Sequence, residues 1–153
     1  MRSKSLTMRG FTLVELLVVF ALGALLVGLA PVAFGRLTEA VQYRDTVRAL
    51  LNDFRAARLA ARSQGHDVRF VVNLSQRTFG VEGGAVTSVP PSLQLHAVTA
   101  TQEAGGDGTV GIRFLPKGGA SGGSVDVVRG NGDGVRLRVD WFSARIEQER
   151  LQP

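Results

Sequence analysis

Glu15 is isolated. It is the single charged side chain in residues 11–34, FTLVELLVVFALGALLVGLAPVAF. A carboxylate in the middle of an apolar helix costs about 2.5–3.5 kcal/mol on insertion scales, so it calls for a cationic partner. A cleaved secretory signal has no need of it, and a plain membrane anchor is destabilised by it. Little else in the chain has the makings of catalysis. There is no cysteine, which excludes disulfides, thiolate zinc sites and a cysteine nucleophile. Two histidines, His66 and His96, are too few for a His-based metal centre and read as a helix-end and a strand-face residue. Asp107, Asn131 and Asp133 sit among glycines as calcium ligands can, but the D-x-[DN]-x-[DN]-G pattern with a closing Glu is absent, so they read as turn residues. The glycine strings lack the phosphate-cradle spacings. Ser121 and Ser143 have no local His–Asp partners. No catalytic residue, metal site or cofactor is expected, and the chain reads as a non-enzyme.

The arginines are the other candidate site. Arg136 and Arg138 lie two apart on an expected strand and so share a face. With Arg145 nearby they form a patch suited to a neighbouring subunit or to DNA phosphates, although Asp140, Glu147 and Glu149 interleave with them. A second row, Arg44, Arg48, Arg55, Arg58 and Arg62, follows one helix face, with Asp45 and Asp53 close by. The whole chain carries a formal +5. Arg2, Lys4 and Arg9 supply three of those charges, and without them 15 basic residues face 13 acidic ones, a net +2. That is too little to argue for a polyanion partner.

The elements that position these residues follow from periodicity. A helix over 11–34 is long enough to span roughly 30 Å of hydrocarbon. The basic segment before it holds the N-terminus in the cytoplasm and sends the rest outward. Pro31, with Gly23 and Gly28, interrupts the run and marks a place where the helix kinks or loosens. Ala40, Tyr43, Val47, Leu50, Phe54, Ala57 and Ala61 then step by three and four, one apolar stripe on a continuing helix that stops at Gly65. Beyond 66 the period changes to two. Strands are expected at 68–74, 78–82, 93–99, 110–114, 125–128 and 135–141, with a last short one at 143–146. Gly130–Gly134 is a hairpin connection, and Trp141 is expected in the core or against a strand edge. The fold class is α+β: a long N-terminal helix, transmembrane then amphipathic, packed on an antiparallel domain of six or seven short strands.

Arg9-Gly10-Phe11-Thr12-Leu13-Val14-Glu15-Leu16-Leu17-Val18 resembles the processing motif of type IV prepilins and type II secretion pseudopilins. The resemblance implies cleavage between Gly10 and Phe11 by prepilin peptidase, N-methylation of Phe11, and Glu15 as the assembly glutamate. The new α-amino group of Phe11 on one subunit would meet Glu15 of a neighbour, an attraction far stronger at low dielectric than in water. Because the tip subunit of such filaments departs from this glutamate, the tip-most position is not expected. Phe114–Gly123 followed by Val135–Ile146 is similar, more loosely, to the C-terminal domain of GspH/FimT-type minor pseudopilins and pilins, with Ala144 where a Gly is usual. Together the two matches leave out about 83–108.

The implied organisation is a leader at 1–10, a transmembrane and assembly helix at 11–34, its amphipathic continuation at 35–65 and a periplasmic β-rich domain at 66–153. The implied protein is a minor pseudopilin of a type II secretion system, single-pass in the bacterial inner membrane. Its implied partners are other pseudopilins, prepilin peptidase, the inner-membrane secretion platform and, before assembly, membrane lipid. The alternative is a FimT-type minor pilin that binds DNA in natural transformation or primes pilus assembly.

Overall fold

The computed structural model describes residues 11–99, 105 and 108–152, without the side chains at 26 and 28–37. The leader 1–10, with Gly10, and the loop acid Asp107 lie outside the described residues. Internal contacts divide the chain into residues 1–38 and residues 39–153.

One helix, α1 (Leu13–Gln64), is assigned without a break, through Pro31. In the first unit its described apolar side chains are exposed on every side, from Leu13 at 83% to Phe20 at 70% and Leu25 at 63%. Among the described residues no helix is long and apolar enough to cross a membrane. The expected span 11–34 includes side chains, at 26 and 28–34, that fall outside them.

In the second unit the helical stripe does what its spacing predicts. Leu50, Phe54, Ala57 and Ala61 are fully buried, and Tyr43 and Val47 pack against the same core. The helix ends as expected: Gly65 adopts φ 71°, and its N–H donates to the Ala61 carbonyl at 3.1 Å.

Among the described residues eight strands follow, where the sequence suggests six or seven. They are β1 (Val68–Asn73), β2 (Thr78–Val81), β3 (Val86–Ser88), β4 (Leu93–Thr99), β5 (Thr109–Phe114), β6 (Gly123–Arg129), β7 (Gly134–Val139) and β8 (Ile146–Leu151). They form two four-stranded antiparallel sheets, ordered β3-β2-β1-β5 and β4-β6-β7-β8. The extra strand, β3, is three residues long and largely exposed, so it has no apolar alternation to announce it. Gly80 makes the β2–β3 pairing possible, because a Cβ there would collide with the Ala85 carbonyl oxygen.

Both sheets face one core with the helix. Phe70, Val72, Phe79, Ile112 and Phe114 come from the first sheet, and Leu93, Val125, Val127, Leu137 and Val139 from the second. Phe54 meets Phe70 edge-on with 4.5 Å between ring centroids, and Phe114 at 6.3 Å. Each such aromatic contact adds about 0.5–1.5 kcal/mol beyond the area it buries.

The C-terminal strands depart from expectation. β7 ends at Val139 rather than 141, and residues 143–145 form a turn rather than a strand, with β8 starting at Ile146. Asp140 is the reason. Its carboxylate accepts the Ser143 N–H and hydroxyl, both at 2.7 Å, which curls the chain out of the sheet. Those two bonds hold the Asp140 carboxyl below its usual range, the Ser143 hydroxyl contributing most. Ala144 closes the turn at φ 52° while 1% exposed. A left-handed backbone costs an L-residue about 1–2 kcal/mol. Ala144→Gly relieves that strain but uncovers the space of a methyl worth about 0.8 kcal/mol, so it should leave stability nearly unchanged. Ala144→Val, β-branched and without room, should lower it by about 2 kcal/mol or more in a denaturant titration.

Candidate functional site

The N-terminal end of α1 carries two of the expected site residues, Phe11 and Glu15. Phe11 is 81% exposed and lies just outside the helix. Thr12 caps it: its Oγ1 accepts the Glu15 N–H at 3.2 Å, and its carbonyl accepts the Leu16 N–H at 3.2 Å. Glu15 is exposed in the first turn. Thr12-Leu13-Val14-Glu15 therefore has the T-x-x-E spacing of a capping box, a signal carried by the sequence itself. The cap satisfies a donor that would otherwise be orphaned, and an acid in the first turn complements the helix dipole by about 0.3–1 kcal/mol. Glu15 thus has a local task in its own chain besides any task between chains.

The second candidate, the arginine patch, is on the outer face of the β4-β6-β7-β8 sheet. Arg136 and Arg138 share that face as their spacing requires. They are not free of acids. Arg136 donates from Nε and Nη2 to the two Asp126 carboxylate oxygens, 2.8 Å each. That bidentate grip raises the guanidinium further above its ordinary value. Arg138 lies 3.9 Å from Glu149. Asp126, Arg136 and Glu149 face one another across three strands, so charges alternate along the row and cancel within the patch. Arg145 lies apart from the row, exposed in the turn before β8.

Asp126 is only 8% exposed, a placement the sequence did not suggest. The pair is asymmetric. Arg136→Ala leaves a covered carboxylate without its donor, whereas Asp126→Ala leaves an arginine that reaches solvent. Arg136→Ala should therefore depress the melting temperature more than Asp126→Ala, measured by circular dichroism.

The helix arginine row also divides. Arg44, Arg48, Arg55 and Arg62 are exposed, and Arg48 meets Asp45 at 3.8 Å, an exposed pair worth about 0–1 kcal/mol. Arg58 instead turns inward and donates to the Ser143 carbonyl at 3.2 Å, tying the helix to the β7–β8 turn. Arg77, in a left-handed turn at φ 55°, ties the two sheets by donating to the carbonyls of Pro90, at 2.8 Å, and Leu93.

The remaining candidates are structural. Asn131 and Asp133 bond each other across the β6–β7 hairpin, 2.7 Å side chain to side chain. His66 sits past the helix end, its Nδ1 2.9 Å from the Asp67 carbonyl, and His96 is exposed on β4. Among the described residues no group of three or more His, Asp or Glu could hold a metal ion. Trp141, expected in the core or against a strand edge, is 68% exposed because the turn begins one residue before it.

Known proteins resemble the chain in two consecutive blocks. Residues 7–31 match the prokaryotic N-terminal methylation motif. Residues 46–143 match the family of type II transport protein GspH. The type II secretion system protein H of Xanthomonas campestris pv. campestris is 28% identical over 147 residues, covering 95% of this chain and 85% of that protein. The solved minor pseudopilin EpsH of the Vibrio cholerae type 2 secretion system superposes with a TM-score of 0.53 at 12% identity, covering 73% of this chain and 98% of that one, a likeness of fold.

Proposed function

The chain belongs to the type II transport protein GspH family, and from that premise we propose how its N-terminal end is processed and used. The protein is a minor pseudopilin, a structural subunit that assembles with other pseudopilins in type II secretion. One observation carries the reading: a methylation motif and a GspH domain stand in order in a single chain, joined by one helix.

In this proposal prepilin peptidase cuts between Gly10 and Phe11, and Phe11 is N-methylated. The exposed apolar surface of residues 11–25 supports the next step. A helix apolar all round is covered either by lipid or by other helices. Residues 11–34 rest in the inner membrane before assembly, with the β-domain in the periplasm. On contact with the secretion platform they exchange lipid for neighbouring helices. Pro31 removes one backbone donor from α1 and is where the helix yields during that exchange. Glu15 pairs with the Phe11 amine of the adjacent subunit. The self-cancelling charges of Asp126, Arg136, Arg138 and Glu149 favour protein neighbours over DNA for the outer sheet face.

Mass spectrometry of the mature N-terminus tests the processing step. The expected species begins at Phe11 and carries one extra methyl group. A chain beginning near Pro31 or Phe34 would return the protein to ordinary secretion.

A further inference from the structure

The hairpin between β6 and β7 turns on Gly130-Asn131-Gly132-Asp133. Of Asn52, Asn73 and Asn131, the asparagines of the chain, only Asn131 precedes a glycine. That order of residues can react with itself. The Gly132 backbone nitrogen can attack the carbonyl carbon of the Asn131 side chain, because residue 132 has no Cβ to hinder the approach. A C–N bond forms and closes a five-membered succinimide. The side-chain nitrogen of Asn131 leaves as ammonia, taking the proton that the Gly132 N–H gives up. Water then opens the ring at either carbonyl, which leaves aspartate or isoaspartate at position 131. Asn131 and Asp133 are exposed, so water reaches the site. Gly132 adopts φ 90°, a conformation that favours glycine, so the reactive pair comes with the turn itself.

Both reacting groups are tied in the folded hairpin. Asn131 Nδ2 donates to Asp133 Oδ2 at 2.7 Å, and Asn131 Oδ1 accepts the Asp133 N–H at 3.1 Å. The amide nitrogen cannot depart as ammonia until the Asp133 carboxylate releases it. The attacking group is held as well: the Gly132 N–H donates to the Arg129 carbonyl at 3.0 Å. The Arg129 N–H in turn donates to the Asp133 carbonyl at 2.8 Å and closes the hairpin behind them. Asn73 shows the contrast. Its Oδ1 also accepts a backbone N–H, from Gln76 at 2.8 Å, but Leu74 follows it and its side chain hinders ring closure.

We propose that Asn131 is a deamidation site of this chain, restrained by the Asp133 carboxylate that holds its side-chain amide. Conversion would act against the turn that contains it. Aspartate at 131 sets a second carboxylate where Asp133 now receives a donor, and isoaspartate adds a main-chain carbon between strands that pair residue for residue. The same hairpin carries Arg129, whose guanidinium lies 4.4 Å from the centre of the Tyr43 ring on α1. The site is thus a place where age alters the seat of the helix on its sheet.

The test ages the folded full chain in detergent at neutral pH and maps its peptides by mass spectrometry, with isoaspartyl methyltransferase marking isoaspartate. Asp133→Ala should convert residue 131 at least about tenfold faster than the wild type, the change expected when a hydrogen bond to a charged group is lost. Asn131→Gln, whose ring would be six-membered and slower to close, should give no product at 131. Hydrogen exchange at the Gly132 N–H separates a freed side chain from a melted turn, and it should change by less than about twofold in Asp133→Ala. Conversion of Asp133→Ala at the wild-type rate overturns the restraint. Faster conversion matched by equally faster Gly132 exchange also overturns it, since the whole turn rather than the carboxylate would then be the guard. No product at 131 in either chain overturns the site.

Discussion

Glu15→Gln is expected to abolish incorporation into the filament as fully as Glu15→Ala, with the proposed cleavage after Gly10 continuing. Glutamine keeps the length and hydrogen-bonding reach of the first-turn side chain, and Thr12 still accepts the backbone N–H of residue 15. Capping therefore survives in Glu15→Gln. Only the charge is lost, and with it the proposed attraction to a neighbour's Phe11 amine. The two roles differ in size. A cap contributes about 1 kcal/mol. Removing one partner of a buried ion pair costs more, about 3–5 kcal/mol, because the neighbour's amine is left uncompensated. Thr12→Ala supplies the converse, costing about 1 kcal/mol of helix-end stability with assembly retained. Cross-linking and shearing of filaments from cells expressing each variant measures incorporation, and immunoblotting of the mature band measures cleavage. If Glu15→Gln assembles like the wild type, the carboxylate serves its own helix and the docking role is wrong.

The second large effect is expected in the β-domain. Phe54→Ala removes the ring on which Phe70 and Phe114 converge, in a position with no exposure. The cavity opens between the helix and the β3-β2-β1-β5 sheet, which carries both of those rings. Truncations of this kind cost about 3–5 kcal/mol. At roughly 4 °C per kcal/mol for a domain of this size, the melting temperature should fall by about 15 °C. Phe54→Leu, which keeps most of the volume, should lose less than half as much. Thermal denaturation of the full chain in detergent, followed at the β-sheet signal, separates the two variants. A drop of only a few degrees for Phe54→Ala would mean that the aromatic cluster is not the centre of the fold.

Phe54 was legible in the sequence because local periodicity fixes it. The three-and-four spacing from Ala40 to Ala61 predicts the buried face, and the alternation Val68, Phe70, Val72 predicts β1. Gly65 predicts its own left-handed turn. Features set by partners far along the chain were not legible. Asp126 reads as an ordinary strand-face acid until Arg136, ten residues on, closes over it from the next strand. Arg58 belongs to a solvent row by spacing and leaves it for a carbonyl 85 positions away. Trp141 follows an alternating strand, and only the Asp140–Ser143 bonds reveal that the sheet has already ended. The methylation motif is legible from its composition, whereas the cap within it depends on the Thr12 Oγ1 meeting the Glu15 N–H, a backbone geometry that spacing alone does not fix.

β8 carries a consequence for the time before assembly. It closes one side of its sheet with the sequence Ile-Glu-Gln-Glu-Arg-Leu, and its four middle residues are all exposed. The edge of the other sheet, β3, is only three residues long. An uncharged edge of ordinary length would recruit strands from any nearby chain. Charge on β8 and brevity on β3 guard those two edges, while the remaining edges, β4 and β5, abut each other, with Thr99 Oγ1 donating to the Gly111 carbonyl at 2.6 Å. In the proposed membrane-held pool, subunits are expected to stay side by side without pairing through these edges, which leaves assembly to other contacts.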